Sequence, residues 1–512
     1  MYKLLLFLLI SLSLCAQDKP NIIIILADDL GYADVGFHDY TEADVKTPEL
    51  DKLASSGTWF SNAYSTSPIC SASRLGLSTG RYQQRWGAYY YGEGGLPKEE
   101  QTIAEALKSI GYKTMKVGKT HMNKGFKQHP MDHGFDDFLG FIDHSWDFFM
   151  LSQEHLDAYK KRAKKAGHKG NIKFLGPLMR GYEKNASFKD TNITDVFTVE
   201  AQKFIVENKD EPFYLRLSFN AVHTPLHLVP EELAKKHGIK QPKWDPNAST
   251  WEYPLWDPKT LKYNEWYKQV CHLQNPDPYG RLKYLIHLEM IDQAIGKILK
   301  TLDEQQIRDN TLIFFSSDNG GSHQSYANNG HLNAFKYSVM DGALHVPFLV
   351  SYPAKLPKAN KSDALVSHMD IFATIADLTG LSPKNKLDGL SLIPHLKGAQ
   401  ADVHDYLIWD MGKKKSWAIR QKDHKLVLPE AKQYQKYQLD EQGLVKDQFQ
   451  LLTLKNKLQL FDLVNDSGET KDLISQMPEK AEAMKQVYAK WRSQMKEPVK
   501  GATPKYYSTT KK

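Results

Sequence analysis

Cys70 lies in S-P-I-C-S-A-S-R-L-G-L-S-T-G-R-Y, residues 67–82, and the chain has only two other cysteines, Cys15 and Cys271. A chain of 512 residues does not rest its fold on so few. The serines, Arg74 and the closing Thr-Gly-Arg around Cys70 point to chemistry rather than cross-linking. A second group combines Asp28-Asp29 with Asp318-Asn319, each pair placed just after an apolar run. Together they offer oxygen donors only, with no thiol and no required imidazole. Such a set selects a hard cation, Ca²⁺, with Mg²⁺ as the alternative. Taken alone, an acidic pair after a strand also suits a turn or a helix cap. Lys119, His121, His223 and Lys336 complete the list of side chains able to carry charge or a proton.

The elements that must position these residues show in the apolar patterning. Asn21 to Ala27 is a β-branched run ended by acids and glycine, a fully buried strand of a parallel sheet. Thr47 to Leu53 starts a helix, with Thr47 as its expected cap and Pro48 at its first position. Gln101 to Ile110 predicts a helix, and Tyr112 to Val117 and Phe213 to Phe219 predict strands. Tyr284 to Leu302 carries Leu285, Leu288, Ile291, Ile295, Ile298 and Leu302 at helical spacing and leads into the strand Thr311 to Phe315. Alternating strands and helices argue for an α/β sheet covered on both faces. The polar residues recur just after strands, where open α/β sheets bind their ligands, so one site is expected from all these loops.

Residues 1–16 read as a signal peptide: Lys3 is their only charge and Leu4 to Leu14 is an apolar run. Cleavage is expected after Ala16; Cys15 offers a lipid-anchor alternative. No later run is long enough to span a bilayer. Removing Lys3 lowers the formal net charge from +7 to +6. Mild basicity in an exported chain suits a polyanionic partner, and equally serves solubility. Residues 17–395 are expected to form the α/β domain and residues 396–512 a smaller C-terminal α+β subdomain. In the latter, Ser416–Leu428 and Leu458–Leu463 read as strands and Pro478–Met495 as a closing helix. The stretches 150–195 and 230–280 lack clear periodicity, and the second is rich in Trp and Tyr that could stack on sugars or pack the loops down.

Cys70-Ser71-Ala72-Ser73-Arg74 with Ser78-Thr79-Gly80-Arg81 resembles the type I sulfatase signature C-x-P/A-S-R-x-x-x-x-T-G-R, with Ser78 at the place of Leu or Met. Asp28-Asp29-Leu30-Gly31 and Ser316-Asp318-Asn319-Gly320 resemble the two metal motifs of that family. Gly111-Tyr112-Lys113-Thr114 and Gly118-Lys119-Thr120-His121-Met122 resemble G-Y-x-T…G-K-W-H-L, with Thr120 for Trp. Lys336 to Pro347 resembles K-x-x-x-x-E-G-G-x-R-V-P, with Asp341 for Glu, Ala343 for Gly and His345 for Arg. Leu460-Phe461-Asp462-Leu463 is similar to L-Y-D-L.

The resemblance implies an alkaline phosphatase-like fold: a mixed, mainly parallel sheet sandwiched by helices, with the smaller C-terminal subdomain. It implies that Cys70 is oxidised to Cα-formylglycine by a formylglycine-generating enzyme or an anaerobic maturase. One hydroxyl of the hydrated aldehyde would attack sulfur beside a Ca²⁺ held by Asp28, Asp29, Asp318, Asn319 and position 70 itself. Arg74 would hold the diol and neighbouring carboxylates, Lys119 would bridge the diol and a sulfate oxygen, and His223 and Lys336 would protonate the leaving oxygen. His121 would deprotonate the second hydroxyl, so that sulfate leaves by elimination. His144, Ser145 and Asp147 fall where the family often contacts substrate; His227 joins them, and His345 is either a substrate-side or a structural residue. The expected substrate is a sulfated oligo- or polysaccharide, with an algal polysaccharide such as ulvan, carrageenan or fucoidan favoured over animal glycosaminoglycans, met in the periplasm after export. No nucleic acid partner and no membrane span are expected. The alternatives are a phosphatase or phosphodiesterase of the same superfamily, which typically needs Ser or Thr and zinc-binding histidines, and a non-catalytic binder of sulfated glycans.

Overall fold

The computed structural model describes residues 19–91, 93–122, 129–143, 148–149, 178–186, 191–241, 276–399, 402–412, 415–446, 451–453 and 456–499, with isolated positions at 154–165 and 265. The expected signal peptide, His144, Ser145, Asp147, Cys271 and most of the two aperiodic stretches lie outside the described residues.

Ten strands form the main sheet: β1 (Asn21–Ala27), β2 (Thr58–Tyr64), β3 (Lys113–Lys119), β4 (Asp137–Phe141), β5 (Leu178–Arg180), β6 (Glu183–Ala186), β7 (Phe213–Ser218), β8 (Thr311–Ser317), β9 (Phe348–Ser351) and β10 (Asn360–Ser367). Their order is β10-β2-β9-β8-β1-β7-β3-β4-β5-β6. β8, β1, β7, β3 and β4 pair in parallel, while β9 and β5 run against their neighbours. The sheet is therefore mixed and mainly parallel, as expected.

β1 shows why an unbroken apolar run was needed. Ile23, Ile25 and Ala27 pack on one face with Leu288, Ile291 and Ile295 of the Gly280–Glu304 helix. Ile22, Ile24 and Leu26 pack on the other with Leu107 of the Ile103–Ser109 helix and Ile371 of the Asp370–Thr379 helix. Successive side chains point to opposite faces, so a strand covered on both sides has no polar register. Each such isoleucine contributes about 1.5–3 kcal/mol of burial.

The start of the Pro48–Ser55 helix differs from expectation. Thr47 makes no cap; its Oγ1 accepts the Gly36 amide at 2.7 Å and donates to Asp51. The helix is instead closed by a distant carboxylate. Asp292 accepts the amides of Leu50 at 2.8 Å and Glu49 at 3.2 Å.

Beyond the main sheet, β11 (Tyr406–Asp410), β12 (Trp417–Gln421), β13 (His424–Leu428) and β16 (Gln459–Asp462) form an antiparallel sheet in that order. The expected strand 416–428 is thus a hairpin, turning at Lys422 and Asp423. β14 (Lys432–Tyr434) pairs with β15 (Leu451–Thr453). The Pro478–Arg492 helix covers the antiparallel sheet, with Met484 and Trp491 in its core. Trp409 Nε1 donates to Ser65 O at 2.8 Å, so this sheet buttresses the loop that leads to Cys70.

Candidate active site

β8, β1, β7 and β3 are adjacent and parallel, so their carboxyl ends open on one edge. Asp28 and Asp29 follow β1, Lys119 ends β3, His223 follows β7, and Asp318 and Asn319 follow β8. Main-chain bonds tie the loops together: Asp28 N to Ala221 O at 3.0 Å, Val222 N to Asp28 O at 3.0 Å, and Asp318 N to Ala27 O at 3.1 Å. Asp29 (φ 61°) and His121 (φ 45°) both occupy the left-handed region, which costs energy for a side-chain-bearing residue.

Cys70 opens the Cys70–Thr79 helix, every residue of which is buried. Positive partial charge gathers at a helix N-terminus, which favours an anion there. Gly80 ends the helix at φ 64°, its amide returning to Gly76 O at 2.9 Å, which accounts for the glycine of Thr-Gly-Arg. Cys70 Sγ stands 3.2 Å from His121 Nδ1. Burial pushes the thiol above its usual range, although Lys336 and Lys119 oppose the shift. An unmodified thiol here is therefore protonated and a poor nucleophile.

The acids are held by three buried cations. Lys119 Nζ lies 2.5 Å from Asp28 Oδ2. Arg74 Nε and Nη2 both lie 2.8 Å from Asp318 Oδ2, and Nη1 donates to Lys119 O at 3.2 Å. Lys336 Nζ contacts both oxygens of Asp29, at 2.7 and 2.9 Å. Burial, with Asp318 alongside, pushes Asp28 up to about 8 despite Lys119 and Arg74. Asp29 is pushed up by burial, but Lys336 and His223 bring it below the carboxylate range. Burial, then Lys119, pushes His223 down to about 3. Its Nδ1 donates to Thr224 O at 2.6 Å, which leaves Nε2 facing Asp29 Oδ2 at 3.7 Å.

The donor chemistry fits a hard cation. Asp28 Oδ1 and Asn319 Oδ1 are buried and have no hydrogen-bond donor among the described residues. The Asn319 amide is oriented by Nδ2, which donates to Asp29 Oδ1 at 2.8 Å. Asp28, Asp29 and His223 each place a donor atom within 4.8 Å of the others. Buried orphan oxygens beside three carboxylates are what a divalent cation satisfies.

The sulfatase family model matches residues 20–381. The chain belongs to the sulfatase family. The chain is thus a sulfuric ester hydrolase, of a family that generally uses formylglycine and a divalent metal. A second model, N-sulphoglucosamine sulphohydrolase C-terminal, matches residues 331–442. The chain is 30% identical over 428 residues to the N-acetylgalactosamine-6-O-sulfatase of Bacteroides thetaiotaomicron, covering 71% of this chain and 73% of that one. It is 29% identical to the human N-acetylgalactosamine-6-sulfatase over 74% of its own length and 66% of the relative's. The chain thus spans about two thirds of that mammalian enzyme. The crystal structure of Ps i-CgsB in complex with k-i-k-neocarrahexaose superimposes with a TM-score of 0.72 at 30% identity, covering 94% of each chain. The fold is the alkaline phosphatase-like one of the sulfatases.

Within this sulfatase, the structure brings together Asp28, Asp29, Cys70, Arg74, Lys119, His121, His223, Asp318, Asn319 and Lys336. His227 is half-buried on the loop after β7, its carbonyl accepting from Lys283 at 2.7 Å. His345 is buried. Its Nε2 meets Ser61 O at 2.6 Å, its ring stacks on Tyr64 at 4.5 Å, and Nδ1 faces Asp341 at 3.7 Å. It belongs to a buried network that links Asp341 to Lys425 and Glu469 of the C-terminal part.

Sequence reasoning missed three contributors. Ser317 Oγ accepts the Leu30 amide at 2.9 Å and donates to Asn319 O at 2.7 Å, which ties together the two acidic loops after β1 and β8. His323 is fully buried, and burial pushes its imidazole down to about 3 despite Asp29. Arg216 donates to Ser78 Oγ at 2.5 Å, so the serine that departs from the family pattern receives a buried guanidinium. The unusual Ser78 was the available signal for that pair.

Proposed function

We propose that this protein releases sulfate from a sulfated carbohydrate, using oxidised Cys70 beside a calcium ion held by Asp28, Asp29, Asp318 and Asn319. The observation that carries the reading is Cys70 at a buried helix N-terminus, 3.2 Å from His121, within a cluster of four oxygen-bearing side chains and three cations. Bound calcium would supply charge that holds sulfate oxygens and acidifies a hydroxyl. Conversion of Cys70 to formylglycine would supply a hydrated aldehyde, an oxygen nucleophile that can afterwards expel sulfate as the carbonyl returns.

The remaining work falls to side chains of the chain. Lys119 and Arg74 offset the negative charge of the sulfate and keep Asp28 and Asp318 aligned. His121 Nδ1 is within reach of the group at position 70 and takes its proton. His223 and Lys336 flank Asp29 and protonate the departing alcohol oxygen. A sulfate ester brought beside His223 raises the affinity of its Nε2 for a proton, because a nearby anion favours the charged imidazole.

The substrate class is a sulfated glycan. The named relatives support galacto-configured sugars, either a carrageenan-type galactan or N-acetylgalactosamine, more directly than ulvan, another of the algal candidates. Export, with maturation of Cys70 by a formylglycine-generating enzyme or an anaerobic maturase, completes the reading. The test is desulfation of defined carrageenan, chondroitin and ulvan oligosaccharides by protein produced with and without a formylglycine-generating enzyme. Mass spectrometry locates the lost sulfate. Release confined to the matured protein is expected. Hydrolysis of phosphate esters with no sulfate release would overturn the assignment.

A further inference from the structure

A cleft of about 490 Å³ separates the loop 329–335 from the segment 433–438. That volume is in the range of small-ligand sites. Its walls present Asn333, Gln433, Gln435 and Gln438, with His331 and Lys436. Amides offer paired donors and acceptors, the groups that recognise sugar hydroxyls. Lys436 is the one charged side chain that the described lining exposes: Glu469, beneath, is 4% exposed and bound to Lys425 at 2.8 Å. Among the described residues Lys436 pairs with Glu42, at 3.5 Å, a solvated pair of small worth that a bound anion can displace.

The walls are already in place. Gln433 Nε2 donates to Asn333 Oδ1 at 2.6 Å across the cleft. Tyr437 is buried and donates to Tyr326 O at 2.6 Å, which pins Lys436 and Gln438 on either side of it. Asn329 Nδ2 donates to Ala334 O at 3.0 Å. Gln433 is 9% exposed, and its Oε1 has no donor among the described residues, an acceptor left for a ligand or water. Beside the cleft, Tyr40 is 52% exposed and packs on His331 at 4.0 Å, an aromatic surface of the kind that stacks on a sugar face. The loop that forms one wall runs directly into Lys336, whose ammonium holds Asp29. A ligand here is one loop away from the reacting centre.

We propose that this cleft is a separate sugar subsite. It binds a neighbouring sulfated unit of the glycan whose target sulfate lies at Cys70: the amides take hydroxyls and Lys436 takes a sulfate. The inference rests on the sulfated-carbohydrate reading above. Lys436→Ala and the double variant Gln435→Ala/Gln438→Ala change exposed side chains. With matured protein, each is expected to lower kcat/KM on a sulfated carrageenan hexasaccharide about tenfold through KM, with hydrolysis of 4-nitrophenyl sulfate unchanged. Equal losses on both substrates, or no loss on either, would overturn the subsite. Calorimetry in the Cys70→Ala background separates binding from chemistry. A hexasaccharide affinity weakened about tenfold by Lys436→Ala supports the cleft even if no glycan is turned over, and an unchanged affinity rejects it.

Discussion

Replacing Lys425 by Met should unsettle the joint between the C-terminal sheet and the loop that carries Lys336. Lys425 Nζ lies 2.7 Å from Asp341 Oδ1 and 2.8 Å from Glu469 Oε1, with all three side chains buried. Glu469 also accepts the Asp341 amide at 2.8 Å, and Asp341 accepts the Tyr64 hydroxyl at 2.7 Å. Removing the ammonium leaves two buried carboxylates side by side. Breaking a buried pair from one side costs about 3–5 kcal/mol. That is a large share of a domain's typical stability of about 5–15 kcal/mol. The loss depends on pH in a fixed direction. Burial, with Asp341 alongside, raises Glu469 to about 7 against the pull of Lys425. A carboxyl with a raised folded-state pKa adds stability below its unfolded value and loses it as pH rises through about 7. Without Lys425, Glu469 keeps its proton more firmly, so the variant should lose more stability at pH ~8 than at pH ~5.5. Urea unfolding at both pH values reads this directly. Adding Glu469→Gln should restore part of the loss at the higher pH, because one of the opposed charges is gone. A loss under about 1 kcal/mol, or a double variant weaker than the single one, would refute the account of this joint.

Three further outcomes follow from the geometry. Ser78→Ala deprives the buried Arg216 Nη1 of its acceptor and should cost about 1–3 kcal/mol in urea unfolding, with no change in the mass of residue 70. Asp292→Ala removes the distant cap on the Pro48–Ser55 helix and should cost about 1–2 kcal/mol, visible as faster amide exchange at Glu49 and Leu50. Chelation by EDTA should lower the melting temperature and restored calcium should raise it. Saturation at a hundredfold excess over Kd is worth about 2.7 kcal/mol, and Asn319→Ala should reduce the calcium-dependent part.

What the sequence disclosed, and what it hid, has physical causes. β1 and β8 were legible because strands buried on both faces cannot carry polar residues, and the acids that follow them stand out. β2 was not, because Ser61 and Asn62 lie in a half-buried register toward Asp363. The Cys70–Thr79 helix shows no amphipathic period because it is buried all round. Its residue types stood out in the sequence, while its helical form did not. Thr47 had the right type for a cap but was taken by Gly36, and Asp292, 242 residues from Leu50, serves instead; no local pattern reports such a partner. For His345 the motif position left a substrate-side and a structural role open, because Ser61 and Tyr64, which meet its ring, come from elsewhere in the chain.

The central claim is that the thiol at position 70 is a precursor, and one experiment addresses it most directly. The protein is produced with a formylglycine-generating enzyme, and the peptide containing residue 70 is weighed in the same sample whose sulfate release is measured. Activity is expected to rise in proportion to the aldehyde-bearing fraction and to vanish in Cys70→Ala. Full activity in a preparation whose residue 70 is entirely thiol would contradict it.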